Sequence, residues 1–155
     1  MPTIDARWKT ILLAGLIAGT LDILAAIFIL AGGHGGRVLR FIARGAIGDT
    51  AMEGGAGMAL LGLVFHFFIA TSFAAGYFVV YPRVPLLQRS VWLSGLFYGV
   101  FVWAVMQYLV LPLTYNAPAP FSLAGSWKAI LILVIAVGLP IAWITHRYYR
   151  HHSVR

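Results

Sequence analysis

Two ionisable side chains inside long apolar runs carry most of the chemistry this sequence offers. Asp22 lies in the run from Thr10 to Ala31, and His66 in the run from Gly57 to Tyr81. A carboxylate at the centre of a membrane helix costs about 2.5 to 3.5 kcal/mol, whereas each Leu, Ile or Phe favours insertion by about 0.3 to 0.6. The first run holds twelve such residues, together worth about 4 to 7 kcal/mol, so it is expected to insert with its charge. At helical spacing from Asp22 stand Gly15, Ala18, Gly19, Ala25 and Ala26; at helical spacing from His66 stand Ala59, Gly62 and Ala70. Small residues let helices approach closely, so both groups are predicted to face protein rather than lipid. If the two runs form an antiparallel hairpin, Asp22 and His66 fall within about one turn of each other in depth. A buried carboxylate and an imidazole favour each other's charged forms, and imidazole is the group most easily switched near neutral pH. An inward Asp22 and His66 pair is therefore either a packing device that fixes helix register or a proton-responsive site.

A second group of polar residues follows the first run. His34 sits within Gly32-Gly33-His34-Gly35-Gly36, and Asp49 and Glu53 stand four residues apart, on one face if that segment is helical. His34, Asp49 and Glu53 could form a cluster on the outer face, and imidazole with carboxylates suits several divalent ions. Their spacing is not that of a tight metal motif, and no metal site is assigned. Arg37, Arg40 and Arg44 recur at helical spacing along one side of residues 37–47. They predict a short interfacial helix whose arginines contact lipid headgroups and offset the two acids. Enzyme chemistry finds little support. The chain has no cysteine and none of the GxSxG, HExxH, P-loop or Rossmann fingerprints. Bis-histidine haem ligation would need two deep histidines, and only His66 is deep; no cofactor is expected.

The elements that must position these residues follow from composition. The chain of 155 residues is 61% hydrophobic and 10% charged, with a mean hydropathy of +0.91, whereas soluble domains are about 25% charged. Four apolar segments, at about 10–31, 57–81, 86–111 and 121–144, account for nearly all of it and predict a single integral membrane domain over 1–155. The expected fold is an all-α membrane protein, with four transmembrane helices in an antiparallel bundle and the short interfacial helix between helices 1 and 2. The net charge of +7 lies in short flanks of apolar segments, which argues for lipid bilayer contacts and against nucleic acid. The first run exceeds the 7 to 15 or so residues usual in a signal peptide, so an uncleaved first span is expected.

Finer features fit this frame. Gly15 and Gly19, and again Gly95 and Gly99, form GxxxG spacings through which a homo-oligomer could pack. Gln107 is expected to reach water, Lys128 to snorkel to the interface, and Pro140 to bend the last helix. Trp8, Trp92, Trp127 and Trp143, with Tyr81, Tyr115 and Tyr148, lie near proposed span ends as an aromatic belt requires; Trp103 is the exception. The tail from His146 is expected to be polar and only partly ordered. Seven basic residues flank the side holding both termini and four the other side, which predicts cytoplasmic termini.

The stretch HFFIATSFAAGY from His66 to Tyr77, the Pro and basic turn after it, and LVLPLTYNAPAP from Leu109 to Pro120 resemble the YagU-like family of small bacterial inner-membrane proteins, as does GLIAG at Gly15 to Gly19. The resemblance covers about the middle half of the chain and the short first-span piece. It implies a helical bundle in a bacterial inner membrane and no established activity. His66 falls on a family histidine, whereas Asp22 stands where the family has a small polar residue. An Asp22 and His66 pair would then be particular to this sequence or a close subgroup. The functional expectation is an inner-membrane protein with a structural or partner-binding role; the alternative is a small proton-linked transporter or channel working as a homo-oligomer.

Overall fold

A computed structural model describes residues 4–116 and 122–152, and the described residues are helical with no strand. Four helices are long and apolar enough to cross a membrane: Asp5–Leu30, Ala56–Arg83, Val91–Leu113 and Ala124–His151. At 1.5 Å per residue, even the shortest spans about 35 Å, against a hydrocarbon core of about 30 Å. Their outward faces keep large apolar side chains exposed, Phe28 at 68% and Phe68 at 70% among them. A surface of that kind is stable against lipid and a liability in water.

The first span is α1 (Ile4–Ala25), continued by a π-helical turn at Ala26–Leu30. It ends where the Gly33 N–H reaches back to the Ile27 carbonyl, with Gly32 and Gly33 at φ of +57° and +91°. Only glycine adopts such angles without strain, which is why the GGHGG stretch ends the helix here. Helix α2 (Gly35–Ile47) and the single turn α3 (Thr50–Glu53) lead into α4 (Ala56–Val80). A 3-10 turn at Tyr81–Arg83 and a short α5 (Pro85–Arg89) precede α6 (Val91–Val105), which runs on through a π turn at Met106–Val110. The last span is α7 (Leu123–Ile132), a π turn at Leu133–Gly138, and α8 (Leu139–His152).

Helix α1 packs on α4 and α8, α6 packs on α8 and the π turn before it, and α2 packs along α4. Small residues make each crossing. A β-carbon on Gly15 would sit 2.6 Å from Thr71 Oγ1, and one on Gly19 would sit 2.9 Å from Phe67 Cδ1. On the other side of the molecule a β-carbon on Gly99 would overlap Val134, and one on Gly138 would overlap the Gly95 carbonyl. Both GxxxG pairs are therefore in close contact within one chain.

Several expected boundaries move. The third span starts at Val91 rather than 86, because Ser90 is extended (φ −151°, ψ 123°) and its hydroxyl caps the Leu93 N–H at 3.4 Å. The final helix continues to His152 instead of giving way to a partly ordered tail. Tyr148 and Tyr149 explain this, since they stack into a cluster with Phe78 and Tyr81. Tyr81 and Tyr148 are buried in that cluster and are not belt residues, whereas Trp8, Trp92, Trp127 and Trp143 are exposed as a belt requires. Pro140 has no N–H to give the Ala136 carbonyl, so the widened turn at Leu133–Gly138 stands directly ahead of it.

Candidate intramembrane site

Helix α1 places Asp22 one turn before its π-helical end, and α4 places His66 near its middle. His66 Nε2 lies 2.8 Å from the Gly19 carbonyl oxygen, three residues before Asp22. A carbonyl only accepts, so this bond puts a proton on Nε2. The Gly19 carbonyl also closes the normal helical bond to Ile23, so it is shared rather than rescued. Phe67 packs edge-on to the His66 ring at 5.5 Å between centroids. Asp22 is half-buried, and its carboxylate forms no hydrogen bond or ion pair among the described residues.

Two cavities meet at these side chains. The inner one, of about 310 Å³, lies between the spans and is lined by Asp22, His66, Phe73, Trp103, Met106 and Gln107, among others. The outer one, of about 920 Å³, opens between α1 and α2 past His34, Arg37, Arg44 and Asp49, and reaches Asp22 and His66 at its base. All three π-helical turns contribute to the inner wall, through Ala26 and Leu30, Met106 and Gln107, and Leu133 and Val137. A π turn widens the helix and breaks its bonding register, and such turns are frequent at functional sites. Toward the opposite end three tyrosines are hydrogen-bonded. Tyr77 donates to Ser94 Oγ at 2.9 Å, Tyr98 donates to the Phe73 carbonyl at 2.6 Å, and Tyr81 Oη meets His146 Nδ1 at 2.6 Å.

Helix α2, which borders the outer cleft, is fixed from two sides. A β-carbon on Gly62 of α4 would overlap the Leu39 carbonyl of α2, and Ala43 is fully buried at the same crossing. From the other side, Asn116 donates through Nδ2 to the Phe41 carbonyl at 2.9 Å, and the Tyr115 N–H reaches the Gly45 carbonyl at 3.1 Å. Arg44 donates to Asp49 at 2.7 Å and to Asn116 Oδ1 at 3.3 Å. Arg40 donates to the Gly54 carbonyl at 3.3 Å. Two of the three arginines assigned to lipid headgroups are thus bonded to protein, and Arg37 lines the cleft mouth.

The expected outer-face cluster is only partly gathered. His34 and Asp49 both border the cleft, and Glu53 does not. Among the described residues no three His, Asp or Glu side chains come together as a metal site. Asp49 is taken by Arg44, and the His34 Nδ1–H is directed to the Ala31 carbonyl at 2.9 Å. Of the residues singled out in the sequence, Asp22 and His66 border both cavities. Sequence reasoning missed Met106, Trp103 and Asn116, and it assigned Gln107 to water where the structure gives it to the inner cavity. No sequence signal marked the π turns that bring those side chains in. Lys128 is exposed and lies 5.6 Å from the Trp127 ring centroid, as a snorkelling lysine should. Compared with models of protein families, with curated proteins and with solved structures, the chain matches none, so the likeness to the YagU-like family rests on the quoted stretches alone.

Proposed function

We propose that this is a multi-pass protein of a bacterial inner membrane, its spans running alternately up and down, which binds and releases protons together with a small solute at Asp22 and His66. The carrying observation is that both side chains lie where the inner and outer cavities meet. A pair that served only to lock two helices would be expected to sit in a closed contact, and this one borders about 920 Å³ of space that leads out past charged residues. Ionisable groups inside membrane spans are functional by default. In this reading His66 Nδ1 and the Asp22 carboxylate exchange protons with water in the cleft. The bonded tyrosines at the other end form the closed gate, and release to that side requires Tyr77 and Tyr81 to leave Ser94 and His146. Helix α2 sits at the membrane interface and forms the mouth. Four short spans make a small carrier, and a homo-oligomer would assemble through the exposed apolar faces.

A structural or partner-binding role is the competing reading, favoured by the bond from His66 to Gly19, which fixes the register of α1 against α4. Proton flux into liposomes, measured with the purified protein across about pH 5 to 8, separates the two. Flux that disappears in Asp22→Asn supports a conduction or coupling site. Absence of flux in the native protein favours the structural reading and turns the search to copurifying proteins.

A further inference from the structure

A second cleft, far from Asp22, runs along one face of α8 beside the start of α6, with a volume of about 940 Å³. Its residues on the last span recur every three or four positions: Ile135, Leu139, Trp143, Arg147, Arg150 and His151. Read along the helix, the lining changes from aliphatic, through an indole, to cationic over about 22 Å. That order is the order of an amphiphile lying along the protein, with acyl chain, interfacial glycerol and headgroup in sequence. Trp92 of α6 forms the opposite wall and is 74% exposed. The Arg147 guanidinium is held 4.9 Å over the Trp143 ring, which orders a side chain that would otherwise be mobile. No carboxylate lines the cleft. Among the described residues the one ion pair is Arg44 with Asp49, so the charges of Arg147 and Arg150 are not spent on an acid of this chain. His146, which also borders the cleft, is engaged with Tyr81.

We infer that this cleft is a binding site for an anionic phospholipid, with its phosphate between Arg147 and Arg150 and an acyl chain along Ile135 and Leu139. Basic pockets between membrane helices bind acidic headgroups, and each arginine near a membrane surface contributes about fivefold in affinity. The occupant is a lipid rather than free phosphate because half of the lining is apolar and continuous with the span's outer face. The site is independent of the Asp22 and His66 reading and does not depend on flux.

The test is native mass spectrometry of the full chain released from nanodiscs of equal phosphatidylglycerol and phosphatidylcholine, beside Arg147→Gln/Arg150→Gln. The native protein is expected to retain phosphatidylglycerol in preference, and the double variant to lose about 25-fold of that preference. Lys9→Gln/Lys128→Gln, which removes as much charge at exposed positions elsewhere, is expected to keep it. Circular dichroism of the double variant must match the native protein; should it not, Arg150→Gln alone, with an expected loss of about fivefold, replaces it. Equal retention of the two lipids by the native protein overturns the inference, as does unchanged preference in the folded variant. Binding of inorganic phosphate that displaces the lipid at equal concentration also overturns it, because the site would then recognise an anion and not a lipid.

Discussion

In the proposed reading the two ring nitrogens of His66 divide two tasks. Nε2 binds the Gly19 carbonyl and so ties α4 to α1, and Nδ1 is the atom left for the proposed proton exchange. This division lets structure and function be separated by substitution. In His66→Phe the bond is lost but the ring volume is kept, and the Gly19 carbonyl retains its helical partner. Interhelical hydrogen bonds in membranes average about 0.6 kcal/mol, with a maximum of about 1.7. The variant is therefore expected to lose about 1 kcal/mol or less, read as a small fall in the thermal midpoint in detergent, and to lose all pH dependence of flux. A large loss of stability with flux unchanged would make His66 a packing residue. Asp22→Asn removes a charge that makes no hydrogen bond or ion pair with the described residues. It is expected to leave stability equal or improved, because burying an amide is cheaper than burying a carboxylate, and to reduce proton flux to that of protein-free liposomes.

At the scale of elements, the crossings are set by the absence of side chains. Leucine and phenylalanine dominate the outward faces, whereas glycine and alanine occupy the contacts between α1 and α4, α6 and α8, and α2 and α4. In lipid there is no hydrophobic drive to bring helices together, so close backbone approach and its dispersion energy must do so. Gly62 is the sharpest instance, because its neighbour is backbone that has no other rotamer to adopt. Gly62→Ala should cost about 1 to 3 kcal/mol through overpacking, despite alanine's better helix propensity. Amide hydrogen exchange would show the consequence as faster exchange confined to α2. Uniform acceleration across all spans, or none, would mean that α2 is not held by this crossing.

For the molecule as a whole, the outer cleft and the bonded tyrosines stand at opposite ends. The outer cleft enters between α1 and α2, and the buried tyrosine cluster stands where α1, α4 and α8 meet at the opposite end. The distribution of basic residues predicts that the tyrosine end is cytoplasmic. Because the chain has no cysteine, the orientation can be read directly from single substitutions. Gly36→Cys is expected to react with a membrane-impermeant maleimide in intact cells, and Arg89→Cys only after permeabilisation. The reverse pattern would invert the protein and place the cleft on the cytoplasmic side.

Local pattern was enough to read four long apolar helices and to single out Asp22 and His66 within two of them. Apolar run length and the spacing of small residues are local quantities, and they sufficed to find four helices of membrane-spanning length. What surrounds those two side chains was set by how the helices cross. Three helices change to π geometry around one cavity, and Asn116, far along the chain, bonds to α2. A π turn is chosen by the neighbours it must accommodate rather than by its own residues, as the ordinary sequence MQYLV at Met106–Val110 illustrates. Likewise Tyr81 and Tyr148 read as belt residues by position, and became core because aromatic residues from α4 and α8 converge there. Local pattern gives the depth of a residue along its span, but which neighbour it meets depends on how the spans cross.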